Sequence, residues 1–248
     1  MELSSQPLLV HYIPILTTVL SATFCGVLLR RYVRRGQGAH LLWWAGGIFC
    51  YGLGTALESS VTLFGNSPGL NKAWYVAGAL LGGYPLAQGT VYLLLPRRTA
   101  HVLTAVTVPF IALFSILVFL SPTDWAALEA HRPGGKALEW SWIRKFTILI
   151  NSYAVLFLIG GAVLSSVRYA RDAGTRNRAV GNALIALGAL MPAIGGVGAK
   201  AGHVEWLYVG EFVGLLFIWA GYAFCVARPV ELAAVSPMVL TPAGVSRG

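Results

Sequence analysis

Charge is scarce in this chain. Of 248 residues, 11% are charged, and Asp plus Glu number 9 against 18 Lys plus Arg. A soluble domain carries roughly 25% charged residues, so a water-facing surface over the whole length is excluded. Hydrophobic residues make up 56% of the chain and the mean hydropathy is +0.69. Cysteine is sparse too. Cys25, Cys50 and Cys225 all fall inside apolar runs without a C-x-x-C spacing, which suggests neither a metal knuckle nor a disulfide framework. They read as small buried hydrophobes.

Several catalytic signatures are missing. There is no H-E-x-x-H, no phosphate-binding glycine loop and no G-x-S-x-G. His11, His40, His101, His131 and His203 stand at or near helix ends on different sides, which argues against a zinc or haem cluster. The last apolar run has no lysine for a retinal Schiff base. No basic stretch precedes the first apolar run and no A-x-A site follows it, so that segment is expected to be retained.

What the chain does have is apolar runs of the length, about 20 residues, that crosses ~30 Å of hydrocarbon. These predict spans over Leu8–Leu29, Leu41–Phe64, Ala73–Leu95, Val102–Leu120, Ile143–Val167, Val180–Ala199 and Trp206–Val226. The expected fold is therefore an all-α membrane protein, a seven-transmembrane-helix bundle over residues 1–228, followed by a loose tail over 229–248 that is rich in proline and small residues. The net charge of +9 is carried by short clusters between the runs, which speaks for membrane topology and against nucleic acid. With the N-terminus outside, Arg30, Arg31, Arg34, Arg35, Arg97, Arg98, Arg168, Arg171, Arg176, Arg178, Arg228 and Arg247 fall inside, against Lys72, Arg132, Lys136, Arg144, Lys145 and Lys200 outside. That asymmetry places the C-terminus in the cytoplasm.

Trp43, Trp44, Trp74, Tyr75, Trp140, Trp142 and Trp206 fall near the predicted interfaces, as aromatic belts do. Gly78-x-x-x-Gly82 and Gly210-x-x-x-Gly214 would let the third and seventh helices approach their neighbours. Pro85, Pro109 and Pro192 would kink the third, fourth and sixth. The longest loop, Ser121 to Trp142, is expected to face outward, with Thr123 capping a short helix through Ala130 that stops at Pro133-Gly134-Gly135.

Ionisable residues within apolar spans are costly and mark functional cavities. Glu58 shares a helical face with Tyr51, Thr55 and Thr62, and Glu211 lines up with Tyr208 and Tyr222. At 1.5 Å per residue both carboxyl groups sit roughly 8–9 Å below the outer boundary. Arg144, Thr147 and Asn151 form a stripe from that same end, His11 and Lys200 join the layer, and Tyr84, Gln88 and Tyr92 carry polarity inward along the third helix. An outward-opening pocket with a polar floor is one reading, with Glu58, Tyr51, Tyr84, Gln88, Arg144, Asn151, Tyr208 and Glu211 as ligand-binding candidates. The other is structural: a carboxylate paired with Arg144 or Lys200 that locks helices together. No catalytic or metal-ligating residue stands out, and no cofactor is indicated.

The order Trp44, Tyr51, Glu58, then Trp74, Gly78, Pro85 resembles the second and third helices of the seven-helix membrane sensor region at the N-terminus of some bacterial histidine kinases. The resemblance implies a bacterial inner-membrane location and a sensor-like module acting through a protein partner. Four functions remain open. These are a receptor-like or accessory module binding a small molecule, with lipids among the candidates; a small-solute or proton-coupled transporter using Glu58 or Glu211; a lipid-acting enzyme; and a structural subunit. An enzyme is disfavoured because no nucleophile or metal site is apparent.

Overall fold

The structure, a computed structural model, describes residues 9–201 and 203–227; the expected tail over 229–248, Arg228 and Arg247 lie outside the described residues, as does the side chain of Lys200. The described chain is helical, in the order α1 (Ile13–Arg35), α2 (Ala39–Phe64), α3 (Pro68–Trp74), α4 (Tyr84–Leu94), α5 (Arg97–Leu120), α6 (Ile143–Ala154), α7 (Gly160–Ala170), α8 (Arg176–Lys200) and α9 (Val204–Val226). Five helical stretches are long and apolar enough to cross a membrane: Leu9–Arg35, Arg97–Leu120, Ile143–Ala170, Arg176–Ala199 and Val204–Val226. This is an integral membrane protein. Apolar side chains such as Val19, Phe49, Ile116, Leu156 and Val197 stand exposed around the bundle, where hydrocarbon rather than water suits them.

At their arginine-bearing ends the helices run past the hydropathy-based spans. α1 runs on to Arg35, α5 begins at Arg97 and α8 at Arg176. Apolar windows stop at the first arginines, whereas the backbone keeps its helical hydrogen bonds into the headgroup layer and lets those cations reach water. Two passages contain π-helical turns, Tyr75–Leu80 after α3 and Val155–Ile159 between α6 and α7. The first is followed by a break at 81–83, and Pro85 falls in the first turn of α4, where its missing N–H costs nothing. Pro109 and Pro192 do lie inside α5 and α8.

α2 packs against α1, α4 and the Tyr75–Leu80 turn, and so lies between two cores. One core joins Phe24, Leu28, Ile48, Leu86, Leu158 and Leu215; the other joins Leu80, Ile111, Phe114, Val118, Leu138 and Ile143. α8 and α9 form the most extensive helix pair. A Cβ on Gly188 would lie 2.5 Å from the Gly214 carbonyl oxygen, and one on Gly214 2.6 Å from that of Gly188. Only hydrogen at these positions allows the two backbones to meet, the use expected of Gly210-x-x-x-Gly214. Gly78 is met differently: Gly54 of α2 abuts its backbone, a Cβ at Gly54 lying 3.1 Å from Gly78 Cα.

The helix expected over Thr123–Ala130 does not form. Asp124 Oδ1 instead accepts from the N–H groups of Ala126 and Ala127, while Thr123 pairs with Leu138 in an isolated antiparallel bridge. The local carboxylate turn and the bridge absorb the donors that a helix would have needed. The loop folds back on the end of the bundle. Asn71 Nδ2 donates to the Gly134 carbonyl at 3.0 Å and its Oδ1 accepts from Gly134 N at 2.8 Å, while Asn66 N donates to the Ala130 carbonyl at 2.7 Å.

Candidate functional site

Glu58 is the most costly residue to place, and the fold places it deep: it is 1% exposed in the interior of α2. Trp74, at the end of α3, donates from Nε1 to Glu58 Oε1 at 2.7 Å. From α9, the Glu211 carboxyl comes within hydrogen-bonding reach of the Glu58 carboxyl. Helix α9 is docked at this level by Tyr51, whose hydroxyl donates to the Glu211 backbone carbonyl at 2.8 Å. Tyr208, one turn before Glu211, is 1% exposed and packs its ring edge-on against His11 at 5.8 Å between centroids. Thr18 and Thr55 share a 2.9 Å hydrogen bond that ties α1 to α2 beside them.

No lysine or arginine forms an ion pair with either carboxyl among the described residues, where the one ion pair is Arg132 with Glu129. Glu58 Oε2, Glu211 Oε2 and the Tyr208 hydroxyl are buried without a donor or acceptor from other side chains. Two carboxylates in contact in a medium of low dielectric cannot both be ionised without a counter-charge. The pair therefore holds a proton, or a positive charge between its two members.

The chain matches no known protein family, characterised protein or solved structure.

The remaining candidates divide into separate groups. Tyr84, Gln88 and Tyr92 do keep one face of α4, but it meets α5 rather than the acid pair. The Tyr84 hydroxyl bonds Thr107 Oγ1 at 2.6 Å, Gln88 Nε2 donates to Thr104 Oγ1 at 2.7 Å, and the Tyr92 hydroxyl bonds His101 Nδ1 at 2.9 Å. Tyr153 adds a bond from α6, its hydroxyl donating to Gln88 Oε1 at 2.6 Å. Arg144 is half-buried near Tyr75 and Gly135, and Asn151 is exposed on α6. Thr147, from the same α6 stripe, bonds the Tyr75 hydroxyl at 2.8 Å.

Trp74 is the residue that sequence reasoning missed, because a tryptophan at the interface reads as part of an aromatic belt. The predicted span opens at Ala73 and so leaves it at the boundary, whereas α3 already starts at Pro68 and carries it down to the level of Glu58. The threonines of α5 left a faint signal. Thr104 and Thr107 recur with helical spacing in a predicted span, Val102–Leu120, whose one other polar residue is Ser115.

Proposed function

We propose that this chain is a receptor-like or accessory membrane module of seven spans, N-terminus outside and C-terminus cytoplasmic, whose sensing centre is the Glu58–Glu211 pair. Its ligand is a small, lipid-soluble molecule with a positively charged group, and it acts through a protein partner. The observation that supports this is the buried carboxyl pair, which no cation among the described residues neutralises, flanked by aromatic rings. A cationic group arriving there would take the place of the shared proton, with Trp74 and Tyr208 beside it to receive its charge. The side chains are packed shut around the pair, so a ligand has to move α9 relative to α2 and α3. That displacement is what a partner would read.

The seven-span count adds α2 and the α3–α4 passage to the five long apolar stretches. Both have the length to cross, and both have lower hydropathy because they carry the glycines, Glu58 and the helix break. The resemblance of these two passages to histidine-kinase sensor helices supports a bacterial inner membrane and a signalling partner. Reporter fusions after Arg228 test the orientation: a cytoplasmic signal is expected, and a periplasmic one would overturn the map.

To test the sensing centre, the protein is purified in mild detergent and its retained molecules are identified by native mass spectrometry. The wild type should retain a defined cationic compound that both Glu58→Gln and Glu211→Gln lose. Retention by both variants would sink the reading.

A second reading, proton-coupled transport, is favoured by the hydrogen-bond chain Tyr153–Gln88–Thr104–Tyr92–His101, which leads to the opposite end of the bundle. Proteoliposomes loaded with a pH-sensitive dye decide it. Proton movement that Glu58→Gln abolishes favours transport over sensing.

A further inference from the structure

At the end of the bundle away from the acid pair, α1 turns into α2 beside the place where α4 passes into α5. The turn is made by Gly36 and Gly38, with φ of 65° and 119°, conformations that a side chain would strain. This tight turn sets the basic end of α1 over the start of α2. Between them and α5 lies an open cleft of about 590 Å³, lined among others by Arg35, Gln37, His40, Tyr92, Arg97 and His101. Its volume falls within the ~300–1,000 Å³ typical of small-molecule sites.

The lining is one-sided in chemistry. Two guanidiniums, two imidazoles, an amide and a phenol face the cleft, and its lining includes no Asp or Glu. The Tyr92 hydroxyl holds His101 through Nδ1 at 2.9 Å, which leaves the other ring nitrogen free to point elsewhere. Arg31 and Arg35 both lie close enough to bear on the His40 imidazole. On α5, in the turns that follow His101, Val102 and Val106 stand 62% and 65% exposed.

We propose that this cleft binds a phosphate-bearing anion, the group presented both by an anionic lipid headgroup and by free phosphate. Fork-shaped guanidiniums on two different helices can take separate phosphate oxygens, while the imidazoles supply further donors and the Tyr92 hydroxyl positions that of His101. The site is independent of the acid pair, which lies at the other end of the bundle.

The test uses the full chain in detergent with three probes: dioctanoyl phosphatidic acid, inorganic phosphate and dioctanoyl phosphatidylcholine. Calorimetric titration should give saturable binding at one site per chain for phosphatidic acid and none for phosphatidylcholine. Inorganic phosphate separates the sources: if it competes, the phosphate group alone suffices, and if it does not, the ligand is a lipid. Arg35→Gln and Arg97→Gln, on different helices and exposed, should each weaken binding tenfold or more. Arg176→Gln, at the same end of the bundle but outside the cleft, should bind like wild type. Absence of saturable binding to both phosphate probes would overturn the proposal. So would wild-type affinity in folded Arg35→Gln and Arg97→Gln, or an equal loss in Arg176→Gln, which would mark diffuse surface charge.

Discussion

The indole of Trp74 donates to Glu58 Oε1 at 2.7 Å, from the last residue of α3 into the interior of α2. Glu58 is the centre of a contact among three elements, because Glu211 of α9 reaches the same carboxyl.

Trp74→Phe keeps the ring and removes this donor. A buried hydrogen bond to a carboxyl contributes about 1.5–3 kcal/mol, so the melting temperature in detergent should fall. On a Glu58→Gln background the same substitution should cost less, since the acceptor is then neutral. A double-mutant cycle with no coupling between the two positions would show that the bond contributes nothing.

Glu211→Gln replaces one member of the acid pair with a neutral amide that can donate to Glu58. In protein freed of any retained molecule, the unfolding temperature should stay the same or rise. Had Glu211 been paired with a buried cation, the same change would strand that charge at a cost of ~3–5 kcal/mol. A drop of that size, read by thermal melting, would mean that a cation does face the pair.

The α8–α9 seam makes a sharper demand. Gly188→Ala sets a methyl group 2.5 Å from the Gly214 carbonyl oxygen and 2.9 Å from Ile218. Overpacking costs about 1–3 kcal/mol, more than the ~1 kcal/mol gained in helix propensity. Gly26→Ala, with nothing within 4 Å, should instead be neutral or stabilising. Equal melting temperatures for the two variants would count against close backbone contact at the seam.

The apolar stretches were legible because hydropathy is a property of the residue alone, and Glu58 and Glu211 stood out for the same reason. Partners were not. The stripe of Tyr84, Gln88 and Tyr92 was readable as one face of a helix, but which helix it meets depends on the π-helical turn and break over 75–83, which rotate α4 relative to α3. Asn151 and Thr147 share a stripe by spacing, yet Thr147 is buried and Asn151 exposed. Four residues advance a helix by more than one full turn, and a narrow contact with Tyr75 takes only one of the two. The loop from 121 to 142 misled for another reason: Asp124 competes locally for the N–H groups that a helix starting at Thr123 would have used.

That loop supplies the last prediction. Asn71 is 1% exposed and holds Gly134 with both ends of its amide, Nδ2 to the carbonyl at 3.0 Å and Oδ1 from the N–H at 2.8 Å. Asn66 Nδ2 adds bonds to the carbonyls of Glu129 and Arg132. These contacts hold Arg132 and Lys136 against the end of the bundle rather than in a free strand, and a protease needs an extended segment to cut. Asn71→Ala removes both bonds to Gly134, about 1–3 kcal/mol, and the long contact from Asn66 Nδ2, without touching either cleavage site. When opening is fast relative to cleavage, proteolysis follows the population of the open loop, so trypsin should cut after Arg132 and Lys136 on the order of tenfold faster or more. The melting temperature should fall less than for Trp74→Phe, because the loop opens without separating α2 from α9. Asn71→Asp keeps the acceptor for Gly134 N and loses the donor, and its cleavage rate should lie between those of wild type and Asn71→Ala. If the wild type is already cut as fast as Asn71→Ala, the asparagine does not hold the loop down.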